Sequence, residues 1–191
     1  MAKILILPGS SRRASYNRQL AAVAAGIAKD LGAEVELIDP IDFPLPLFDQ
    51  DLEDAGGLPG PAKALKARFI ASDAIIFVSP EYNSCITPMM KNFIDWVSRG
   101  ESDDEPALVA FRGKVAGLLS ASPGALGGLR SLAHLRSVLG NLGVFLTPSQ
   151  YSLAKAYEQF TDTGDLKDPA ALKSVKRVVE EVVSTVAKLK S

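Results

Sequence analysis

Ile4-Leu5-Ile6-Leu7-Pro8-Gly9-Ser10-Ser11-Arg12-Arg13-Ala14-Ser15-Tyr16-Asn17 decides how the rest of this chain is read. An uninterrupted apolar run of this length suits a strand buried on both faces, as in a parallel sheet covered by helices. The turn that follows is dense in glycine, hydroxyl and arginine, and it leads into a helical pattern. A second stretch, Ile75-Ile76-Phe77-Val78 followed by Pro80-Glu81-Tyr82-Asn83, repeats the theme of a buried strand ending in a polar loop. In an α/β sheet, both loops sit at the carboxyl ends of the strands, where such folds hold ligands.

Outward from these stretches, β-rich runs alternate with longer helical ones, the signature of βαβ units. Strands are expected at Lys3 to Leu7, Glu34 to Ile38, Ala74 to Ser79, Val115 to Ser120 and Val144 to Leu146. Helices are expected at Tyr16 to Leu31, Ala62 to Ala71, Thr87 to Arg99, Gly128 to Leu142 and Pro169 to Leu189. The last carries one apolar stripe of Leu172, Val175, Val179, Val182, Val186 and Leu189 at three- and four-residue steps. Right-handed crossovers leave few arrangements. The order 2-1-3-4-5 would place the switch point beside the two loops, although alternation alone does not fix that order. Pro40 to Pro61, with Pro40, Pro44, Pro46, Pro59 and Pro61, reads as an irregular surface excursion that reaches toward a partner subunit.

The chain has 191 residues, the size of one well-packed domain, so a single domain over 1–191 is expected. A net charge of −1 gives no electrostatic reason to expect nucleic acid or an anionic membrane as partner. The one cysteine, Cys85, excludes an internal disulfide or a cysteine-based zinc site and suits a reducing compartment. No apolar stretch approaches the roughly 20 residues of a membrane span, and Met1-Ala2-Lys3 runs straight into a strand, so a cytoplasmic protein is the expectation.

The first loop suits a phosphate. A strand-to-helix turn supplies main-chain N–H groups and the positive end of a helix dipole. Ser10 and Ser15 add hydroxyl donors, Asn17 an amide, Arg12 a charge-assisted donor, and Gly9 lets the backbone approach. The competing reading is a plain helix start, with Ser15 as its cap and the arginines in water. The turn lacks the Gly-Lys-Ser/Thr of a triphosphate loop and the Gly-x-Gly-x-x-Gly of a dinucleotide fold, which leaves a mononucleotide phosphate. In the second loop, Tyr82 offers an aromatic face and Asn83 mixed donors and acceptors for a heterocycle, unless the loop is only a rigid turn with a packed tyrosine. A third loop, Ser122-Pro123-Gly124-Ala125-Leu126-Gly127-Gly128, follows the fourth strand. Its glycines admit a ligand against the backbone or simply make a flexible turn.

Together these segments resemble the NAD(P)H-dependent FMN reductase family, flavodoxin-like proteins that include chromate and quinone reductases. The resemblance rests on Leu7-Pro8-Gly9-Ser10-x-Arg12-x-x-Ser15-x-Asn17-x-x-Leu20, on Pro80-Glu81-Tyr82-Asn83 with Lys91-Asn92-Phe93-Ile94-Asp95-Trp96, and on Gly127-Gly128-x-Arg130. It implies a three-layer α/β sandwich. It also implies that Ser10, Arg12, Ser15 and Asn17 hold the FMN phosphate, that Pro80, Glu81, Tyr82 and Asn83 line the isoalloxazine, and that Ser122, with Gly124 beside it, adds a flavin contact. FMN would then take hydride from NADPH or NADH and pass electrons to quinones, free flavin, azo compounds or oxyanions such as chromate, in a ping-pong cycle. No side chain is assigned a catalytic role. A homodimer or tetramer with flavin sites near subunit interfaces is implied too, although Ala133 stands where close chromate-reductase relatives carry a tyrosine before the histidine. The alternative function is a flavin-binding electron carrier or regulatory module with little direct NAD(P)H turnover.

The remaining candidates are expected to be structural. Cys85 reads as a small core residue, His134 as a surface group, Trp96 as packing behind the flavin loop, and Arg99 as an exposed helix-end arginine unless it attracts an anionic acceptor. The acidic runs Asp49 to Asp54 and Glu101 to Glu105 lack the glycine and closing glutamate of a calcium loop and read as solvated.

Overall fold

A computed structural model describes residues 1–190. Strands β1 (Lys3–Pro8), β2 (Glu34–Leu37), β3 (Ala74–Val78), β6 (Val115–Ala121) and β7 (Phe145–Leu153) form one parallel sheet in the order β2-β1-β3-β6-β7. Counting only these strands, that is the expected 2-1-3-4-5. Between β3 and β6 lies a small antiparallel hairpin, β4 (Glu81–Tyr82) and β5 (Cys85–Ile86), which the apolar pattern did not announce. The helices are α1 (Tyr16–Asp30), α2 (Gln50–Gly56), α3 (Gly60–Ala71), α4 (Pro88–Val97), α5 (Leu129–Asn141), α6 (Ala156–Gln159) and α7 (Pro169–Lys190).

The unbroken apolar strands are divided by the pleat, which sends successive side chains to opposite faces. Ile4, Ile6, Ile76 and Val78 pack with α1 (Leu20, Ala21, Ala24) and α7 (Val175, Val179, Val182). Leu5, Leu7, Ile75 and Phe77 pack on the other face with α3 (Leu65, Phe69), α4 (Met90, Phe93) and α5 (Leu132, Leu135, Leu139). The α7 stripe is buried along its middle, but its ends, Leu172 and Leu189, are exposed.

Two expectations are corrected. The Pro40 to Pro61 segment is not irregular throughout: a 3-10 turn at Pro40–Asp42 is capped by Asp39, and α2 is capped by Asp49, whose carboxylate accepts from Asp51 N at 2.9 Å. The acidic run is therefore a capped helix start, where negative charge complements the helix dipole. The last strand is also longer than Val144 to Leu146 and begins one residue later. Its pairing jumps from Ala116↔Leu146 to Leu118↔Gln150, which inserts a bulge around Thr147-Pro148-Ser149. The proline, tolerated in a sheet at an edge or a bulge, disguised the continuation. Pins hold the bulge from both sides: Ser149 N donates to Glu181 of α7 at 2.9 Å, and Arg136 of α5 donates to Thr147 O at 3.0 Å. Past the bulge, β7 runs on to Leu153 beside the ends of the other strands.

Candidate functional site

The turn after β1 is fastened at its root. Gly9 N donates to Val78 O at 2.9 Å, and the Thr87 hydroxyl donates to Gly9 O at 2.8 Å while accepting from Met90 N as the cap of α4. A Cβ on Gly9 would come within 3.0 Å of the Met90 methyl and 3.2 Å of Thr87 Oγ1. Gly9 thus serves the close approach of α4. Thr87, absent from the expected site, locks the first loop to the second.

The start of α1 is open. Helix geometry leaves the first N–H groups without helical acceptors, and the hydroxyl of Ser15, the N-cap residue, does not take them up. No acidic side chain stands in that first turn. Around it, Ser10 and Ser15 are buried hydroxyls, and the Arg12 guanidinium lies 5.7 Å from the centre of the Tyr16 ring. Donors without a competing acceptor, beside a guanidinium, are what a phosphate needs.

Asn17 makes a pair of bonds that the sequence did not announce. Its amide nitrogen donates to Ala121 O at 2.7 Å, and its amide oxygen accepts from Ala121 N at 2.9 Å. Both groups are buried; the amide NH2 carries two hydrogens, so this bond leaves one of its donors uncommitted. Asn17 thereby straps α1 to the end of β6 and brings the third loop against the first.

The loops share one cleft of about 140 Å³. Ser10, Arg12, Ser15 and Asn17 line it from the first loop, Pro80, Glu81 and Tyr82 from the second, and Ser122 from the third. Asn83 and Gly124 stand outside that lining. Tyr82 is half exposed. Asn83 and Ser84 form the hairpin turn with φ of 50° and 67°, a left-handed pair that asparagine tolerates better than serine. A larger groove of about 570 Å³ runs along the flank of α1 against residues 163–166, away from the second and third loops.

In the third loop, the Ser122 hydroxyl accepts from Gly124 N at 3.2 Å. Of its three glycines, only Gly124 would take a Cβ without a clash, at 3.6 Å from Ser122 Oγ. A Cβ on Gly127 would lie 2.7 Å from the Leu153 carbonyl carbon, and one on Gly128 would lie 2.0 Å from Ser120 Oγ. Both have positive φ and serve close packing of the chain on itself.

The Glu81 carboxylate is committed to the start of α5. It accepts from Arg130 Nε at 2.7 Å, from Arg130 Nη2, and from the main-chain N–H groups of Arg130 and Ser131 at 3.1 and 3.3 Å. Burial pushes its pKa up, but the Arg130 and main-chain bonds outweigh that and hold it below the ordinary carboxylate range.

Other residues fall where the sequence did not put them. Trp96 is fully buried but does not back the flavin loop: its indole N–H donates to Pro46 O at 2.9 Å, and it packs with Phe48, Leu58 and Ala62 beneath the proline-rich segment. Asn92 donates to the same carbonyl, so the motif containing both residues clamps that segment to α4. Arg99 is not a free cation, since it donates to Glu53 at 2.8 Å and stacks over Phe48. Cys85 is exposed on β5, not in the core; His134 is exposed on α5, on the surface where it was expected. In the second acidic run, Glu105 accepts from the buried Lys66. Among the described residues no cluster of possible ligands could hold a metal ion, and no helix is long and apolar enough to cross a membrane.

Residues 2–158 match the family described as NADPH-dependent FMN reductase. The chain belongs to that family. Its relatives include NAD(P)H:quinone oxidoreductase of Solanum tuberosum, 34% identical with 98% of this chain and 94% of the relative covered. An NAD(P)H-dependent FMN reductase of Pseudomonas aeruginosa is 32% identical, with 98% and 97% covered. Among solved structures, FerB, a flavoenzyme NAD(P)H:(acceptor) oxidoreductase from Paracoccus denitrificans, superimposes with a TM-score of 0.82 at 28% identity over 98% of each chain. This FMN reductase family member is accordingly an NAD(P)H-dependent oxidoreductase that works through FMN. The uncapped helix start and its arginine fit the phosphate of that cofactor.

Proposed function

We propose that the turn from Gly9 to Asn17 grips the FMN phosphate and that the hairpin beside it faces the isoalloxazine. The observation that carries this reading is the N-terminus of α1, which opens into the shared cleft with neither a side-chain cap nor an acidic residue in its first turn. Ser10, Arg12 and Ser15 donate from side chains, and Asn17 contributes its main-chain N–H. Pro80, Glu81, Tyr82 and Asn83 form the wall toward the ring, with Glu81 and Asn83 acting through the main chain and turn. Ser122 and Gly124 close the third side.

Bound FMN supplies the hydride chemistry; the chain binds, orients and leaves the ring approachable. Sites that enclose a whole small molecule occupy about 300–1,000 Å³, whereas this cleft measures about 140 Å³. It seats the phosphate end and leaves the ring near the surface, which favours donor and acceptor in turn. Relatives named as quinone reductases support a quinone acceptor; free flavin, azo compounds and chromate are further acceptors for an open ring. NADPH is the preferred donor to test first, with NADH beside it. Exposed Tyr82, Leu126 and Leu129 near the cleft support a homo-oligomer, dimer or tetramer, whose partner subunit covers the ring. The same chemistry suits a cytoplasmic protein.

Anaerobic reduction by NADPH and by NADH, followed by reoxidation with quinones, flavins and chromate, tests the proposal. Rapid reduction by either nucleotide alone supports it. A flavin reduced only through a protein donor makes the chain an electron carrier.

A further inference from the structure

Arg130 does not line the cleft, yet it belongs to the Gly127-Gly128-x-Arg130 motif and pairs with Glu81, which does. Helix α5 begins at Gly128, an N-cap residue with φ of 91° and no side chain to cap the helix. The missing acceptor comes from another loop. Glu81 takes the Arg130 and Ser131 N–H groups and pairs sideways with the Arg130 guanidinium, so one carboxylate caps α5 and is neutralised there.

The other end of this contact is a fragile element. The β4–β5 hairpin has only the pairs Glu81↔Ile86 and Tyr82↔Cys85, and its turn places Asn83 and Ser84 at positive φ. Two-residue strands do not hold a hairpin in water, and left-handed backbone at a non-glycine residue costs stability. Outside anchors must supply the difference. On the β5 arm the anchors are the buried Ile86 and the Thr87 bond to Gly9. On the β4 arm, next to Tyr82, the anchor is the Glu81 carboxylate. Glu81 also lines the anion-binding cleft, so a carboxylate freed from Arg130 would put negative charge where a phosphate must sit.

We propose that Arg130 is a positioning residue of the flavin site: it holds the Tyr82 arm of the hairpin through Glu81 and keeps the Glu81 charge off the anion-binding cleft. The inference rests on the FMN reading above. It separates from a merely structural clasp by its charge logic, in which loss of Arg130 harms binding because Glu81 remains.

The test is FMN titration by fluorescence quenching, at a temperature where circular dichroism shows every variant folded. Arg130→Met is expected to weaken FMN binding about tenfold, with the defect shrinking as salt rises. Arg130→Lys is expected to recover most of the loss. The double variant Glu81→Gln/Arg130→Met is expected to bind FMN within about threefold of wild type, because the stranded charge is gone. Amide hydrogen exchange across residues 81–86 in flavin-free protein is expected to quicken in Arg130→Met. Arg130→Met binding FMN as wild type does, a double variant as weak as the single one, or unchanged exchange overturns the inference. Wild-type protein that binds no FMN overturns the site itself, and this inference with it.

Discussion

Ser15→Asp sets the stability of α1 against its proposed task. Ser15 has the extended backbone of an N-cap residue, φ −75° and ψ 126°, but its side chain makes no capping bond. An aspartate there can accept from the free N–H groups and adds a charge to an N-terminus with no acidic residue in its first turn. A cap is worth about 1 kcal/mol and a favourable helix-dipole charge about 0.3–1 kcal/mol, so the flavin-free variant should gain about 1–2 kcal/mol. For a domain of this size each kcal/mol moves Tm by roughly 2–4 °C, so the expected rise is about 2–8 °C. Binding should move the other way. A carboxylate about 4 Å from a phosphate charge, at an effective dielectric constant of about 20, opposes it by about 4 kcal/mol, and the lost hydroxyl donor adds to that. FMN affinity should fall by more than about 100-fold. Calorimetric melting of flavin-free protein and FMN titration read the two effects separately. A variant that is no more stable, or that binds FMN as wild type does, refutes the reasoning that this helix start is left open for an anion.

The remaining predictions probe what surrounds that turn. Asn17→Ala removes two bonds of 2.7 and 2.9 Å and leaves the Ala121 N–H and C=O buried without partners; the expected loss is about 2–4 kcal/mol, seen as an earlier urea midpoint with an unchanged slope. Lys66→Met strands Glu105 beside a lysine site that is 1% exposed, and a broken buried pair costs about 3–5 kcal/mol; part of that is regained because Glu105 keeps some contact with water, so about 2–3 kcal/mol should appear in the same assay. Acid should weaken the fold in a defined window. The Lys66 bond holds the Glu105 carboxyl below its ordinary 4.5 despite burial, and the Arg18 bond holds Asp39 below 3.8. Groups depressed in the folded state add stability that is complete above their unfolded pKa and lost as pH falls through the folded one, so Tm should be level from about pH 7 to 5 and drop below about pH 4. A Tm that holds steady to pH 3 contradicts those pairs.

The sheet was legible because its central strands are apolar without a break, which only a sheet covered on both faces allows. The loops at the strand ends were legible for the same reason, since a buried strand makes its polar exit conspicuous. What the sequence concealed are residues whose chemistry suits two uses. Asn17 is a donor in composition, and both ends of its amide bond to Ala121, a residue 104 positions away that no local pattern points to. Glu81 stands in a ring-lining motif while its carboxylate serves a different helix. Gly127 and Gly128 look like room for a ligand and are room for Leu153 and Ser120. The bulge in β7 was hidden by Pro148, and the β4–β5 hairpin by strands too short to show alternation. Thr87-Pro88 did carry a readable sign, a capping residue before a first-turn proline, but its second bond to Gly9 O is a fact of tertiary structure.

The central claim is that the turn after β1 binds through the phosphate. Parallel calorimetric titrations with FMN and with riboflavin, which differ by that phosphate alone, test it most directly. FMN should bind at least about 100-fold more tightly, as expected when charge-assisted bonds to Arg12 and a helix N-terminus are at stake. Equal affinities for the two flavins would contradict the account.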